Sequence, residues 1–169
     1  MVATATLLTL LAVAGLTIAS AFFSSTEIAM FSLPTDRLTT IADTPAGRRL
    51  TQLRENPHRL LVTLLVGNTL VNMAVASLTT VLAIQTLPPN LAVPAATIGA
   101  ATIVLVFGEI LPKSWGLGNA EPWSLRAAPV VRAIELVLYP LVSIFDWLTS
   151  RFAAATSAEP DIEELVLDD

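Results

Sequence analysis

The chain has 169 residues, 54% hydrophobic and 14% charged, with a mean hydropathy of +0.71 and a formal net charge of −5. Soluble domains are nearer a quarter charged, so this composition describes one membrane-embedded domain, too short for a second folded unit. Without cysteine, disulfides, thiolate metal sites and cysteine nucleophiles are excluded, and without a basic stripe nothing supports a nucleic-acid role.

The first element is an uncharged apolar run from Val2 to Thr26, longer than the roughly 20 residues a bilayer demands. It predicts a first transmembrane helix over about 2–33. A cleavable signal peptide is the rival, and Ala19-Ser20-Ala21 resembles a cleavage site. The run is too long for that, however, and no Lys or Arg precedes it. The helix carries Ser20, Ser24, Ser25, Glu27 and Ser32. Ser24 and Glu27 share a face. Membrane serines commonly bond back to their own helix or pack as small residues.

The segment from Asp36 to Arg59 is polar and holds five arginines. Asn56-Pro57 reads as a cap followed by proline at the first helical position. A second span then follows over about 58–86. It contains Gly67-Asn68-Thr69-Leu70-Val71-Asn72, and Asn68 and Asn72, four apart, point the same way. Two carboxamides facing lipid are costly, so they face protein or water. An interhelical hydrogen bond and a cation site are both open to them.

After the uncharged turn Leu87-Pro88-Pro89-Asn90, a third span runs over about 91–117 and ends in Phe107-Gly108-Glu109-Ile110-Leu111-Pro112-Lys113. A carboxylate at a helix centre in the membrane costs about 2.5–3.5 kcal/mol on insertion scales. Pro112 has no N–H for the carbonyl of Gly108, four residues earlier. We therefore expect this helix to be broken near Gly108–Pro112, with a freed carbonyl beside Glu109, as is tolerated where backbone lines a cavity. The plain alternatives are a helix stop at Pro112, packing at Gly108 and an ion pair between Glu109 and Lys113.

The stretch over about 121–152 is apolar but carries Arg132, Glu135 and Asp146, with Pro140 in its middle. The cost of burying those charges favours an amphipathic juxtamembrane helix along the inner surface over a fourth span. The fold expected is thus all-α: three transmembrane helices plus that helix, together forming a membrane domain over 1–152. Residues 153–169 read as the start of an acidic cytoplasmic helical segment of a longer protein, because six acids fall between Glu159 and Asp169. The first loop is arginine-rich and the second uncharged, so the positive-inside rule puts the N-terminus outside and the C-terminus in the cytoplasm.

The polar groups of the three spans are hydroxyls, amides, a carbonyl and a carboxylate, all hard oxygen donors of the kind Mg²⁺ takes. Soft ligands for Zn²⁺ or Cu⁺ are missing. No nucleophile–base pair or two-carboxylate constellation is present, so an enzyme is not expected.

Three segments, Phe22-Phe23-Ser24-Ser25-Thr26-Glu27 with Ser32, Leu65-Val66-Gly67-Asn68-Thr69-Leu70-Val71-Asn72, and Phe107 to Lys113, resemble the transmembrane domain of the CorC and cyclin M (CNNM) family of magnesium transport proteins. The resemblance covers about Ala19 to Arg151. It implies a plasma (inner) membrane homodimer that binds Mg²⁺ within the bilayer and exports it, with Na⁺ as the candidate coupling ion. It also implies nucleotide-binding regulatory modules beyond the acidic segment. Matched to the family's ion site, Ser24, Asn68, Gly108 and Glu109 come first, and Ser25 and Asn72 second. A non-transporting Mg²⁺ sensor or scaffold, regulating another transporter, is the alternative.

Overall fold

A computed structural model describes residues 2–156, and every element in it is helical. The order is α1 (Val2–Ser32), α2 (Thr35–Ile41), α3 (Pro45–Glu55), α4 (Pro57–Thr86), α5 (Pro89–Ile103), a π-helical segment (Val104–Ile110), α6 (Leu111–Gly118) and α7 (Ala120–Thr156). The acidic segment expected over 153–169 lies, beyond Thr156, outside the described residues.

Local chemistry sets the boundaries. Pro45, Pro57 and Pro89 each open a helix, where a missing N–H costs nothing. Thr44 Oγ1 accepts from Gly47 N–H at 2.9 Å, and Asn56 Oδ1 accepts from Arg59 N–H at 3.1 Å; both satisfy donors that a helix start leaves free. Within the apolar helices, hydroxyls such as Thr17, Thr63 and Thr79 donate to the carbonyl four residues back. In an apolar surrounding this satisfies them locally.

The expected break in the third span is absent. Residues Pro89–Gly118 form one continuous helical rod, and the strain of Pro112 is absorbed by the π segment. At its end, the Leu111 N–H bonds the carbonyl of Val106, five residues back. In a regular α-helix the proline ring would meet the Gly108 carbonyl. A wider turn just before it moves that carbonyl aside without opening the helix.

By length and composition, four helices suit a membrane crossing: Thr4–Ser32, Pro57–Thr86, Pro89–Gly118 and Ala120–Phe145. The expectation of three spans plus a surface helix is not matched at this level, and the reason lies in the charges that argued against a fourth. Glu135 is buried but not isolated. Arg59 Nε and Arg132 Nη1 each stand 2.6 Å from one of its carboxylate oxygens, and the Arg59 guanidinium lies over the Tyr139 ring, 4.7 Å from its centroid. The buried carboxylate is thus compensated by two cations, of which Arg132 reaches out to the surface. Pro129 and Pro140 sit within α7 without ending it.

The two short helices close one end of the bundle. Leu38 and Ile41 of α2 and Leu50 and Leu53 of α3 share a core with Met30, Leu60 and Ala128. Arg54 donates to the Met30 carbonyl at 2.5 Å, near the C-terminus of α1, where a cation also complements the helix dipole. Arg37 pairs with Glu121 at 2.5 Å and ties α2 to α7. The hydrogen bond to Glu121, and then its charge, raises the already high pKa of Arg37.

The two acid–arginine pairs should differ in weight. Truncating Glu135 to Ala strands Arg59 in a partly buried place, a loss of about 3–5 kcal/mol for broken buried pairs. Glu121→Ala opens an exposed pair worth under about 1 kcal/mol. Thermal unfolding of the detergent-solubilised chain should therefore show a clearly larger drop in midpoint for Glu135→Ala. Equal drops would contradict this account of α7.

Candidate functional site

On α1, Ser20, Ser24 and Glu27 recur at intervals of four and three and so share one face. Ser20 is fully buried. Its Oγ lies 2.7 Å from Asn72 Oδ1, 3.0 Å from Asn68 Oδ1 and 3.5 Å from the Gly108 carbonyl oxygen. A hydroxyl carries one proton. It can donate to only one of these acceptors at a time.

The orientation of Asn72 is fixed from its other end. Its Nδ2 donates to Glu109 Oε1 at 3.3 Å, which leaves Oδ1 turned toward Ser20. The Glu109 carboxylate thus reaches the oxygen cluster through one amide. Lys113, four residues on, does not take Glu109. Its Nζ stands 3.3 Å from Glu27 Oε2 on α1.

Close helix approach makes the cluster possible. A Cβ on Gly108 would sit 2.6 Å from Ser20 Oγ, and one on Gly116 would sit 2.4 Å from the Ser25 carbonyl oxygen. Two glycines on the third rod therefore let α1 dock against it along its length.

The structure brings Asn68, Asn72 and Gly108 around a single point and sets Glu109 behind Asn72. Ser24 lies one turn along α1, its Oγ buried with no protein partner. Ser25 is turned onto its own helix, donating to the carbonyls of Ala21 and Phe22, and takes no part in the cluster. Ser20 is the member of this cluster that the sequence expectation does not include; its place four residues before Ser24, on the same face, is the signal that points to it. No group of three or more His, Cys, Asp or Glu side chains is placed to hold a metal among the described residues. Any cation held here must rely on neutral oxygens with one carboxylate nearby.

Residues 10–167 match the family model described as the cyclin M transmembrane N-terminal domain. Among curated proteins, the chain is 28% identical to a UPF0053 protein of Haemophilus influenzae over 88% of its length, and 29% identical to the UPF0053 inner membrane protein YfjD of Escherichia coli over 85%. It is 31% identical to a chloroplastic DUF21 domain-containing protein of Arabidopsis thaliana over 77% of its length. The match spans only 36%, 34% and 20% of those three relatives, respectively. A multi-pass helical membrane domain, with a family model matched across nearly its whole length, is therefore what this chain is: it belongs to the cyclin M transmembrane domain family.

Proposed function

We propose that this chain is the membrane domain of a Mg²⁺ transporter that exports the ion. The single observation carrying the proposal is the gathering of acceptor oxygens from Asn68, Asn72 and Gly108 around one serine hydroxyl. Oxygens that cannot all be satisfied by a proton call for a cation or water in that place. Mg²⁺ binds six oxygens at 2.0–2.1 Å, which sets neighbouring ligand oxygens about 2.9 Å apart. The separations of 2.7 and 3.0 Å from Ser20 Oγ to the two amide oxygens are close to that edge. Ser20, Asn68, Asn72 and the Gly108 carbonyl would supply geometry, and Glu109 charge. The orphaned Ser24 hydroxyl offers a further oxygen one turn away. A single carboxylate leaves a divalent ion partly neutralised, which suits binding weak enough for release.

The membrane arrangement we propose keeps three spans and lays α7 along the inner surface. α7 packs on α1, α3 and α4; Arg59 of α4 lies over Tyr139, and Val62 and Val66 share a core with Leu138, Leu141 and Val142. None of the core clusters it joins among the described residues includes a residue of α5. The arginines of α2, α3 and the start of α4 favour a cytoplasmic first loop, with the N-terminus outside and the C-terminus inside. A homodimer in the plasma membrane, Na⁺ as coupling ion and nucleotide-binding regulatory modules complete the proposal by family likeness.

Mg²⁺ titration of the purified chain tests the site. Asn72→Ala and Glu109→Ala should each weaken binding by about tenfold or more, the scale of losing one hydrogen bond or ligand to a charged group. Unchanged affinity in both would remove the assignment. Gly108→Ala, by pushing Ser20 aside, should also weaken binding, while Gly99→Ala, where a Cβ meets open space, should not. Flux into liposomes holding only this protein separates transport from sensing: Mg²⁺ binding without Mg²⁺ movement would favour a sensor or scaffold.

A further inference from the structure

The Glu27–Lys113 pair is unexplained by the site as described, and it lies where the same face of α1 runs on from Ser20 through Ser24. Both partners are part exposed, at 30% for the Glu27 side chain and 42% for Lys113. This is no buried strut. Lys113 has a second carboxylate within helical reach, Glu109 at four residues, yet it holds Glu27 instead.

We infer that Glu27 is a masked second carboxylate of the cation path and that Lys113 is the residue that masks it, so that the pair sets the strength of the oxygen cluster. This rests on the cation-site reading above. With Lys113 on Glu27, the pair is neutral, and the cluster feels the charge of Glu109 alone. Without the ammonium, Glu27 adds a negative charge about two helical turns from Ser20, and the site tightens. Without the Glu27 carboxylate, the ammonium is released beside Glu109 and competes with the ion, and the site loosens. The two halves of one ion pair therefore act on affinity with opposite signs. A pair that merely holds α1 to α6 would act with the same sign from either side.

The test is isothermal titration of the full chain in detergent with MgCl₂, with thermal midpoints recorded for each variant. Lys113→Met should tighten Mg²⁺ binding by about threefold or more, and Glu27→Gln should weaken it by about threefold or more, as expected for a unit charge at partly screened distance from a divalent ion. The double variant should return to within about twofold of the starting affinity. Lys113→Gln, which also removes the charge, serves as the measure if Lys113→Met does not fold, and Lys113→Arg, which keeps it, should stay within about twofold of the starting affinity. Shifts of the same sign in the two single variants, or no shift in either, would overturn the inference while leaving the cation site intact. Absence of any Mg²⁺ binding by the unsubstituted chain would overturn the cation-site reading itself.

Discussion

A serine hydroxyl has one proton, and at Ser20 it meets oxygens from two asparagines and a backbone carbonyl. That shortage of donors is the constraint around which the surrounding structure is arranged. Water would relieve it anywhere near a surface. Ser20 is fully buried, so relief must come from something small and positive or from trapped solvent. The rest of the local sequence reads as provision for this place. Gly108 has no side chain because one would occupy the position of the hydroxyl. Asn72 donates one amide proton to Glu109, which leaves its oxygen turned toward Ser20. The π turn carries the third rod past Pro112 without breaking it, so the Gly108 carbonyl stays beside Ser20 of α1 and Glu109 beside Asn72 of α4.

Charge is handled by the same logic of local compensation. Glu135 sits between Arg59 and Arg132, and Glu27 takes Lys113. Glu109 differs. Its partner is a neutral amide at 3.3 Å, which stabilises a carboxylate far less than a cation does. A carboxyl group in a membrane span is costly, and residues of this kind often mark ion pathways. The contrast among three carboxylates of one small domain thus singles out Glu109 without appeal to the oxygen cluster, and both lines arrive at the same spot.

Much of this was legible from spacing alone. The four-residue interval of Asn68 and Asn72 put both amides on one face, and both reach Ser20. Asn56-Pro57 announced the start of α4, whose cap bond is made. What failed to show in the sequence depended on partners far along the chain. Glu135 reads in the sequence as a charge with only Arg132 near it, because Arg59, more than seventy residues earlier, cannot be placed beside it. Lys113 was set against Glu109 because a helix brings residues four apart together, whereas its partner lies on another helix. Pro112 implied a break because a sequence shows the missing N–H but not the alternative of a wider turn. Ser20 carries no mark beyond its four-residue spacing from Ser24, since a serine in an apolar run is ordinarily satisfied within its helix.

The position of the π segment adds a final physical point. Widened turns are individually unfavourable and persist where tertiary contacts hold them. Here the segment spans Val104–Ile110, ends one residue before Leu111-Pro112 and contains both Gly108 and Glu109. It therefore places a backbone carbonyl and a carboxylate, adjacent in sequence, beside Ser20 of α1 and Asn72 of α4, while the apolar neighbours Phe107 and Ile110 remain exposed. A regular helix ending in a proline stop would give up Lys113 and Gly116 as part of the same rod. Those two residues are the ones that tie its far end to α1, through Glu27 and the Ser25 carbonyl. The wide turn thus lets one helix both turn these oxygens toward Ser20 and Asn72 and remain docked to α1 beyond them.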